Sequence, residues 1–476
     1  MNDTPGVSNV VLVTVDSLRA DAIGPYDSDR RTPVMDKLAE RGTVFERAFA
    51  NGNWTPFSFP SMMGSSPVFA DDGQIGVSGV ETIAETLSDA GFDTGGFNAA
   101  NGFLTEHWGY DDGFDEFDPF VASVGSSIYS RYLATHPTVE AWLQLATSPF
   151  RRARSWLSSE DSHRPFLDTS RMFDVEQVAT SFLESASEPF FLWIHYMDAH
   201  TPYVPAPRYI REVSDDRFGT HRMVLAHAHA GLGWEVGDRT LGHLRTLYQS
   251  AVRQVDDSVG RVLDALSEHG HDDDTAVVLA GDHGEEFQDH GHLAHYPKLY
   301  DELIRVPLIV NVPGVESRRI EGQVGLDSLP PTIADLAGVS PPEEWRGASL
   351  APAVLDGEEP ADDPVVSVTV RGEEVTEQPI PRSLDDGDLL VSVRDRDWSY
   401  VENVDTGDQE LYHRPTDPGQ QENRADDPDA DARAVIEAFE PLVETHADLL
   451  RTAQGDEPDA EMDADLDARL EALGYK

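Results

Sequence analysis

Apolar residues in this chain gather in short runs that stop abruptly at polar ones. NVVLVTV (Asn9 to Val15) stops at Asp16, and FDTGGF (Phe92 to Phe97) stops before Asn98 and Asn101. PFFLWIHY (Pro189 to Tyr196) leads to His200, TAVVLAG (Thr275 to Gly281) ends against Asp282, and VPLIVNVPG begins at Val306. Runs that are apolar at consecutive positions predict strands buried on both faces, as in a largely parallel sheet. Between them the period changes. PVMDKLAERG and TIAETLSDAG predict helices, each closed by a glycine, Gly42 and Gly91. The longest periodic stretch, about Leu241 to His269, spaces Tyr248, Val252, Val255, Val259, Val262 and Leu266 by threes and fours, the stripe of a packed helix.

Alternation of strand and helix predicts an α/β fold, a doubly wound, mostly parallel sheet flanked by helices. Such folds bind ligands beyond the carboxyl ends of their strands. Asp16, Asn101, His200 and Asp282 all follow predicted strand ends. The pattern assigns residues 1–350 to this main domain, with a helical insertion at 121–187, and residues 351–476 to a C-terminal subdomain. There VVSVTV, LLVSVRD, WSYVENVD and QELYHR predict a small antiparallel sheet, followed by a helix at Ala432 to Leu450 and an acidic tail at Gly455 to Asp467.

Charge changes the picture of the surface. Eighty-eight acidic residues face 35 basic ones among 476, a formal net charge of -53, and lysine occurs only at Lys37, Lys298 and Lys476. Such acidity suits either cationic partners or a cytoplasm of molar salt, where the Debye length shrinks to about 3 Å and self-repulsion fades. The even spread of acid and the near-absence of lysine favour the second, and the composition resembles that of proteins from salt-accumulating haloarchaea. A nucleic-acid partner is not expected: the cluster Arg151, Arg152 and Arg154 is short and reads as a helix face. The lack of cysteine excludes disulfides, thiolate metal sites and cysteine nucleophiles. The polar start MNDTPGVSN carries no secretory signal and no run approaches a membrane span, so the expected location is the cytoplasm. Nothing in the sequence sets the oligomeric state.

Three stretches carry chemistry. GDHGEEF (281 to 287) places a carboxylate and an imidazole side by side just past a strand; both reach one cation if the backbone turns sharply, which Gly281 and Gly284 permit. Mixed oxygen and nitrogen donors suit a borderline or hard divalent ion. A surface turn in an aspartate-rich protein would look the same. VDSLRAD (15 to 21) puts Asp16 at the end of the first strand, where it is equally a cap for the turn. NWTPFSFPSMM (53 to 63) spaces the hydroxyls of Thr55, Ser58 and Ser61 by threes at a helix start, as caps, anion-binding groups or a nucleophile.

Taken together and in order, NVVLVTVDSLRAD, the Trp-Thr-Pro motif, HYMDAHTPYVP, GDHGEEFQDHGH and LYDELIRVPLIV resemble the sulfatase-like branch of the alkaline-phosphatase superfamily over about residues 8 to 345. ELYHRPTDPGQQENRADDP is similar to the family's C-terminal ending. The resemblance implies an alkaline-phosphatase-like fold and one divalent metal ion (Mn, Zn or Ca) held by Asp16, Asp282 and His283, with Thr55 beside them. The Asp-His pair looks like that of phosphonate and phosphodiester hydrolases and phosphoglycerol transferases, whereas calcium sulfatases more often carry Asp-Asn and a second aspartate where this chain has Ser17. The nucleophile aligns in two registers, Thr55 or Ser58. Thr55 fits better, because it also aligns Ser58, Ser61, Met62 and Met63 with the family's pattern. Neither register contains the C/S-x-P-S-R signal, so no formylglycine is expected.

His200 matches the family's leaving-group histidine, and His195 is either a second such group or a strand-end histidine of the core. His295 and Lys298 stand where the family binds the transferring group, with His290 and His292 as alternatives. Arg19, Ser58 and Asn101 are further candidates for substrate contact, Arg19 equally for a structural ion pair. The expected function is hydrolysis, or transfer to an alcohol, of phosphate or sulfate esters of a small molecule or a glycan or lipid precursor. The alternatives are a sulfuric ester hydrolase with an unmodified hydroxyl, and a non-catalytic metal-binding or halophilic scaffold protein.

Overall fold

The computed structural model describes residues 7–71, 73–120, 171–214, 222, 225–227, 236–371 and 381–453. Its main sheet contains β1 (Asn9–Val15), β2 (Thr43–Phe49), β3 (Asp93–Asn98), β4 (Glu116–Asp118), β5 (Phe190–Tyr196), β6 (Thr275–Gly281), β9 (Arg305–Val306), β10 (Leu308–Asn311) and β11 (Arg318–Gly325). A two-stranded ribbon, β7 (Glu286–Phe287) and β8 (Leu293–Ala294), lies between β6 and β9 in sequence. The spatial order is β11-β2-β10-β6-β1-β5-β3-β4, with β9 beside β2. Every pair on the β6-β1-β5-β3-β4 side is parallel. VPLIVNVPG forms β9 and β10 as well, and both run antiparallel to their neighbours.

The apolar runs are buried because helices cover both faces. Val10, Leu12, Phe191, Trp193 and Val278 point to one side, where helices Thr55–Gly64 and Leu329–Leu336 and the C-terminal sheet pack. Val11, Val13, Leu192, Ile194 and Leu279 point to the other, against helices Pro33–Arg41, Met172–Ser185 and Asp238–Glu268. Each side chain thus has a core to enter whichever way the pleat turns it. Gly91 closes its helix in the left-handed conformation, φ +91°. Gly42 does not: its φ is -117°, and it is glycine because a Cβ would come within 2.9 Å of the Val310 carbonyl oxygen.

The C-terminal sheet, β12 (Val365–Arg371), β13 (Asp388–Arg394), β14 (Trp398–Asn403) and β15 (Gln409–His413), is a four-stranded antiparallel meander covered by helix Ala430–Thr452. Of the expected helical insertion, Met172–Ser185 is a helix; residues 121–170, with the arginine cluster, and the acidic tail lie outside the described residues. Among the described residues no helix is long and apolar enough to cross a membrane.

Candidate active site

Register brings the chemistry together. Val15 pairs with both Tyr196 and Gly281, so Asp16 and Asp282 leave the sheet side by side, and His195 lies opposite Thr14. Ser17 turns the chain at once through a left-handed φ of 58°. Its amide donates to Asp282 Oδ1 at 3.0 Å and its hydroxyl to Asp16 Oδ1 at 2.8 Å. Gly281 and Gly284 serve close approach rather than the expected special turn: a Cβ would stand 2.5 Å from the Leu18 oxygen and 2.0 Å from the Glu302 oxygen respectively.

Helix Thr55–Gly64 delivers the hydroxyl, with proline in its first turn, where no donor is lost. Thr55 Oγ1 donates to Asp16 Oδ2 at 3.2 Å and lies 3.5 Å from His283 Nε2. The Asn101 amide donates to the same Asp16 oxygen at 3.1 Å and reaches Thr55 Oγ1 at 3.4 Å. His283 Nδ1–H donates to the Gly284 carbonyl at 2.8 Å, which leaves the Nε2 lone pair 3.5 Å from Asp16 Oδ1 and 3.8 Å from Asp282 Oδ2.

These groups are almost wholly buried. Burial would raise the Asp16 carboxyl, but the imidazoles of His200, His195 and His283 outweigh it and hold the group well below the usual range. Burial, and then the charge on Asp16, drives Asp282 well above that range. Burial also depresses His200 and His283, against the pull of the Asp16 charge. Two buried atoms have no hydrogen-bond partner, Asp282 Oδ2 and His195 Nε2, and such orphans are costly. Ligand atoms of Asp16, His195 and Asp282 lie within 4.8 Å of one another. A divalent ion satisfies these orphans and lets both carboxylates ionise, so the donor set fits one.

Three imidazoles gather beside Thr55. The His200 ring centroid is 4.8 Å from that of His295, which is 5.2 Å from that of His283. His200 Nδ1 faces the Thr201 carbonyl. His295 Nδ1 meets Glu285 Oε2 at 3.3 Å, and Glu285 also accepts from the Tyr203 hydroxyl. The Trp54 indole donates to the His295 carbonyl, latching this histidine to the residue just before Thr55. Glu285 and Tyr203 escaped the sequence reading, although two glutamates following the Asp-His pair were its visible signal.

Other candidates are engaged elsewhere. The Ser58 hydroxyl donates to the Asp282 carbonyl at 2.6 Å, tying the helix to the loop that follows β6. Arg19 grips both oxygens of Asp21 at 2.8 Å and also reaches the Glu285 carbonyl at 3.0 Å and Asp289 at 3.3 Å. Lys298 donates to the His290 carbonyl at 2.9 Å, lies 3.1 Å from His292 Nδ1 and sits between the rings of Tyr296 and Tyr300. His290 is bound by Glu302 and the Gln420 carbonyl.

The model of the Sulfatase family matches residues 8–339. The chain is 25% identical to the uncharacterised sulfatase YidJ of Escherichia coli K12, over 88% of this chain and 83% of that protein. It is 23% identical to the choline-sulfatase of Rhizobium meliloti, over 94% and 88% respectively. The crystal structure of the phosphonate monoester hydrolase of Agrobacterium radiobacter superposes with a TM-score of 0.66 at 20% identity, covering 93% of this chain and 96% of that one. A doubly wound sheet, its strand-end acids and a family match over most of the length agree: this chain belongs to the sulfatase family and is an ester hydrolase.

Proposed function

We propose that this protein hydrolyses phosphate or sulfate esters through the unmodified hydroxyl of Thr55, with phosphoric esters as its better substrates. One observation carries the choice of nucleophile. Thr55 Oγ1 lies against Asp16 and His283, whereas Ser58 Oγ is committed to the Asp282 carbonyl. Asp16, Asp282, His283 and Thr55 would hold a divalent ion (Mn, Zn or Ca), which would supply Lewis acidity, lowering the pKa of the hydroxyl so that its proton passes to solvent and drawing charge from a nonbridging ester oxygen.

The residues do the rest. Asp16 Oδ2 accepts the hydrogen bond of the Thr55 hydroxyl and aims the oxygen. The Asn101 amide, 3.4 Å from Thr55 Oγ1, is a neutral donor to the reacting group. His200 has its Nδ1–H engaged with the Thr201 carbonyl, so its imidazolium form, with a second proton on Nε2, is the one that protonates the leaving oxygen. His295, oriented by Glu285, binds the transferring group. Attack by Thr55 forms an ester of threonine, which water or an acceptor alcohol then resolves. A formylglycine hydrate releases sulfate by collapsing to the aldehyde; threonine has no such route, and this favours phosphoryl over sulfuryl transfer. Similarity to a choline-sulfatase over 94% of the chain favours the second reading, a sulfuric ester hydrolase with the same nucleophile.

The test compares aryl phosphate, phosphodiester and sulfate substrates in molar KCl with Mn, Zn, Ca or Mg, using Thr55→Ala and Ser58→Ala. Thr55→Ala is expected to lose at least ~10³-fold in turnover, while Ser58→Ala keeps most of it. Loss confined to Ser58→Ala would overturn the nucleophile. Faster sulfate than phosphate turnover would overturn the substrate preference.

A further inference from the structure

We infer that His195 is a further ligand of the metal ion, giving the site two imidazole nitrogens instead of one; this rests on the metal-dependent reading above. His195 belongs to β5, in register with Thr14 of β1 and Asn98 of β3, at the mouth of the three central strands. It has no exposed surface. A polar side chain that deep in a sheet is expected to have both nitrogens satisfied, and only one is.

The satisfied nitrogen sets the state of the other. Thr14 Oγ1 accepts the Trp193 indole proton at 3.0 Å and gives its own proton to the Ile194 carbonyl at 3.3 Å. In the tautomer that a metal-bound His195 requires, the remaining lone pair of Thr14 Oγ1 accepts from His195 Nδ1–H, 3.0 Å away. The Nε2 lone pair is left bare, without a hydrogen-bond partner. His283 shows the same arrangement, with Nδ1–H on a carbonyl and Nε2 facing Asp16. A ring whose far nitrogen donates to a fixed oxygen is the usual form of a metal-bound histidine. The Phe59 and Trp193 rings, with centroids 5.1 and 6.4 Å away, hold the imidazole in place.

Distances agree. His195 Nε2 is 3.7 Å from Asp16 Oδ2, too far for a hydrogen bond. Ligand atoms about 2.1 Å from one ion stand about 3.0–3.5 Å apart when adjacent. The separations of 3.2 Å for Asp16–Thr55 and 3.5 Å for Thr55–His283 fall in that range, and those of His195–Asp16 and His283–Asp282, 3.7 and 3.8 Å, are a few tenths of an ångström longer, a gap that a bound ion would draw in. Asp16 thus turns one oxygen towards each imidazole. Two nitrogen donors select zinc over calcium, which prefers an all-oxygen shell.

The test loads the full-length protein with zinc alone and counts bound imidazoles by X-ray absorption, beside zinc titrations of the unsubstituted protein, His195→Gln and His283→Gln. The expected result is two imidazoles in the unsubstituted protein, one in each variant, and zinc affinity at least ~10-fold weaker in His195→Gln. Calcium in large excess should not displace the zinc. One imidazole in the unsubstituted protein would overturn the inference whether or not His195→Gln folds, while leaving the metal site of the proposed function intact. No bound zinc at all would remove both.

Discussion

Asp16 and Asp282 place two carboxylates in one buried pocket, and the surroundings treat them oppositely, holding one ionised and pushing the other up. The pocket is thus destabilising by itself and stabilised by a cation. Chelation is expected to lower the melting temperature, and zinc or manganese to restore it, with a gain of about 2.7 kcal/mol at a free ion concentration 100 times Kd. Asp282→Asn should remove the ion-dependent gain, and under chelation it should melt no lower than the unsubstituted protein, because the repulsion is gone; calorimetry with and without chelator checks both. At this scale Asp16, Asp282 and His283 were legible as candidates because acid and imidazole directly after apolar runs are conspicuous. His195 was not. A histidine inside a run buried on both faces looks like any core residue until the partners of its two nitrogens are known. For Arg19 the structure shows the ion pair that the sequence left as one of two readings, and for Lys298 it shows a carbonyl and an imidazole partner that a cation near a motif does not disclose.

The segment that carries His290, His295 and Lys298 depends on the C-terminal sheet. Arg394, fully buried on β13, pairs with Asp301 at 3.0 Å, and Arg414 reaches the other oxygen of Asp301 at 3.4 Å. Gln420 Oε1 accepts from the Asp301 amide at 2.7 Å. Removing Asp301 leaves a buried guanidinium without its partner, so Asp301→Ala is expected to cost about 3–5 kcal/mol. Glu321→Ala, which breaks the exposed pair with Arg396, should leave stability within about 1 kcal/mol. Urea titrations of both variants make the comparison, and turnover of Asp301→Ala should fall too, because His295 rides on the same segment. Elements read from continuous apolar runs appear in the structure within a few residues. β2 and β11 gave no such signal: TVFERAF and RRIEGQVG carry charges, some exposed, such as Arg319 paired with Glu46. The direction of β10 was equally hidden, since composition does not distinguish a parallel from an antiparallel buried strand.

Over the whole molecule a net charge of -53 acts as self-repulsion that only mobile ions relieve. The melting temperature is expected to rise steadily from about 0.1 M to molar KCl, as the screening length falls from about 10 Å to about 3 Å. A flat response in calorimetry would detach the acidity from salt adaptation. The fold class was legible at this scale because alternation is a global property; the meeting of distant strand ends was not. Ser17 and Asp282 bond across 265 residues, and Thr55 and His283 across 228. During synthesis the first acid and the hydroxyl therefore leave the ribosome long before the second acid exists, and no growing chain shorter than about residue 283 contains a complete cage. Contacts of such separation form late in folding. Ion capture would thus report that the central strands have closed, and a chain truncated before Asp282 is expected to take up no tightly bound ion.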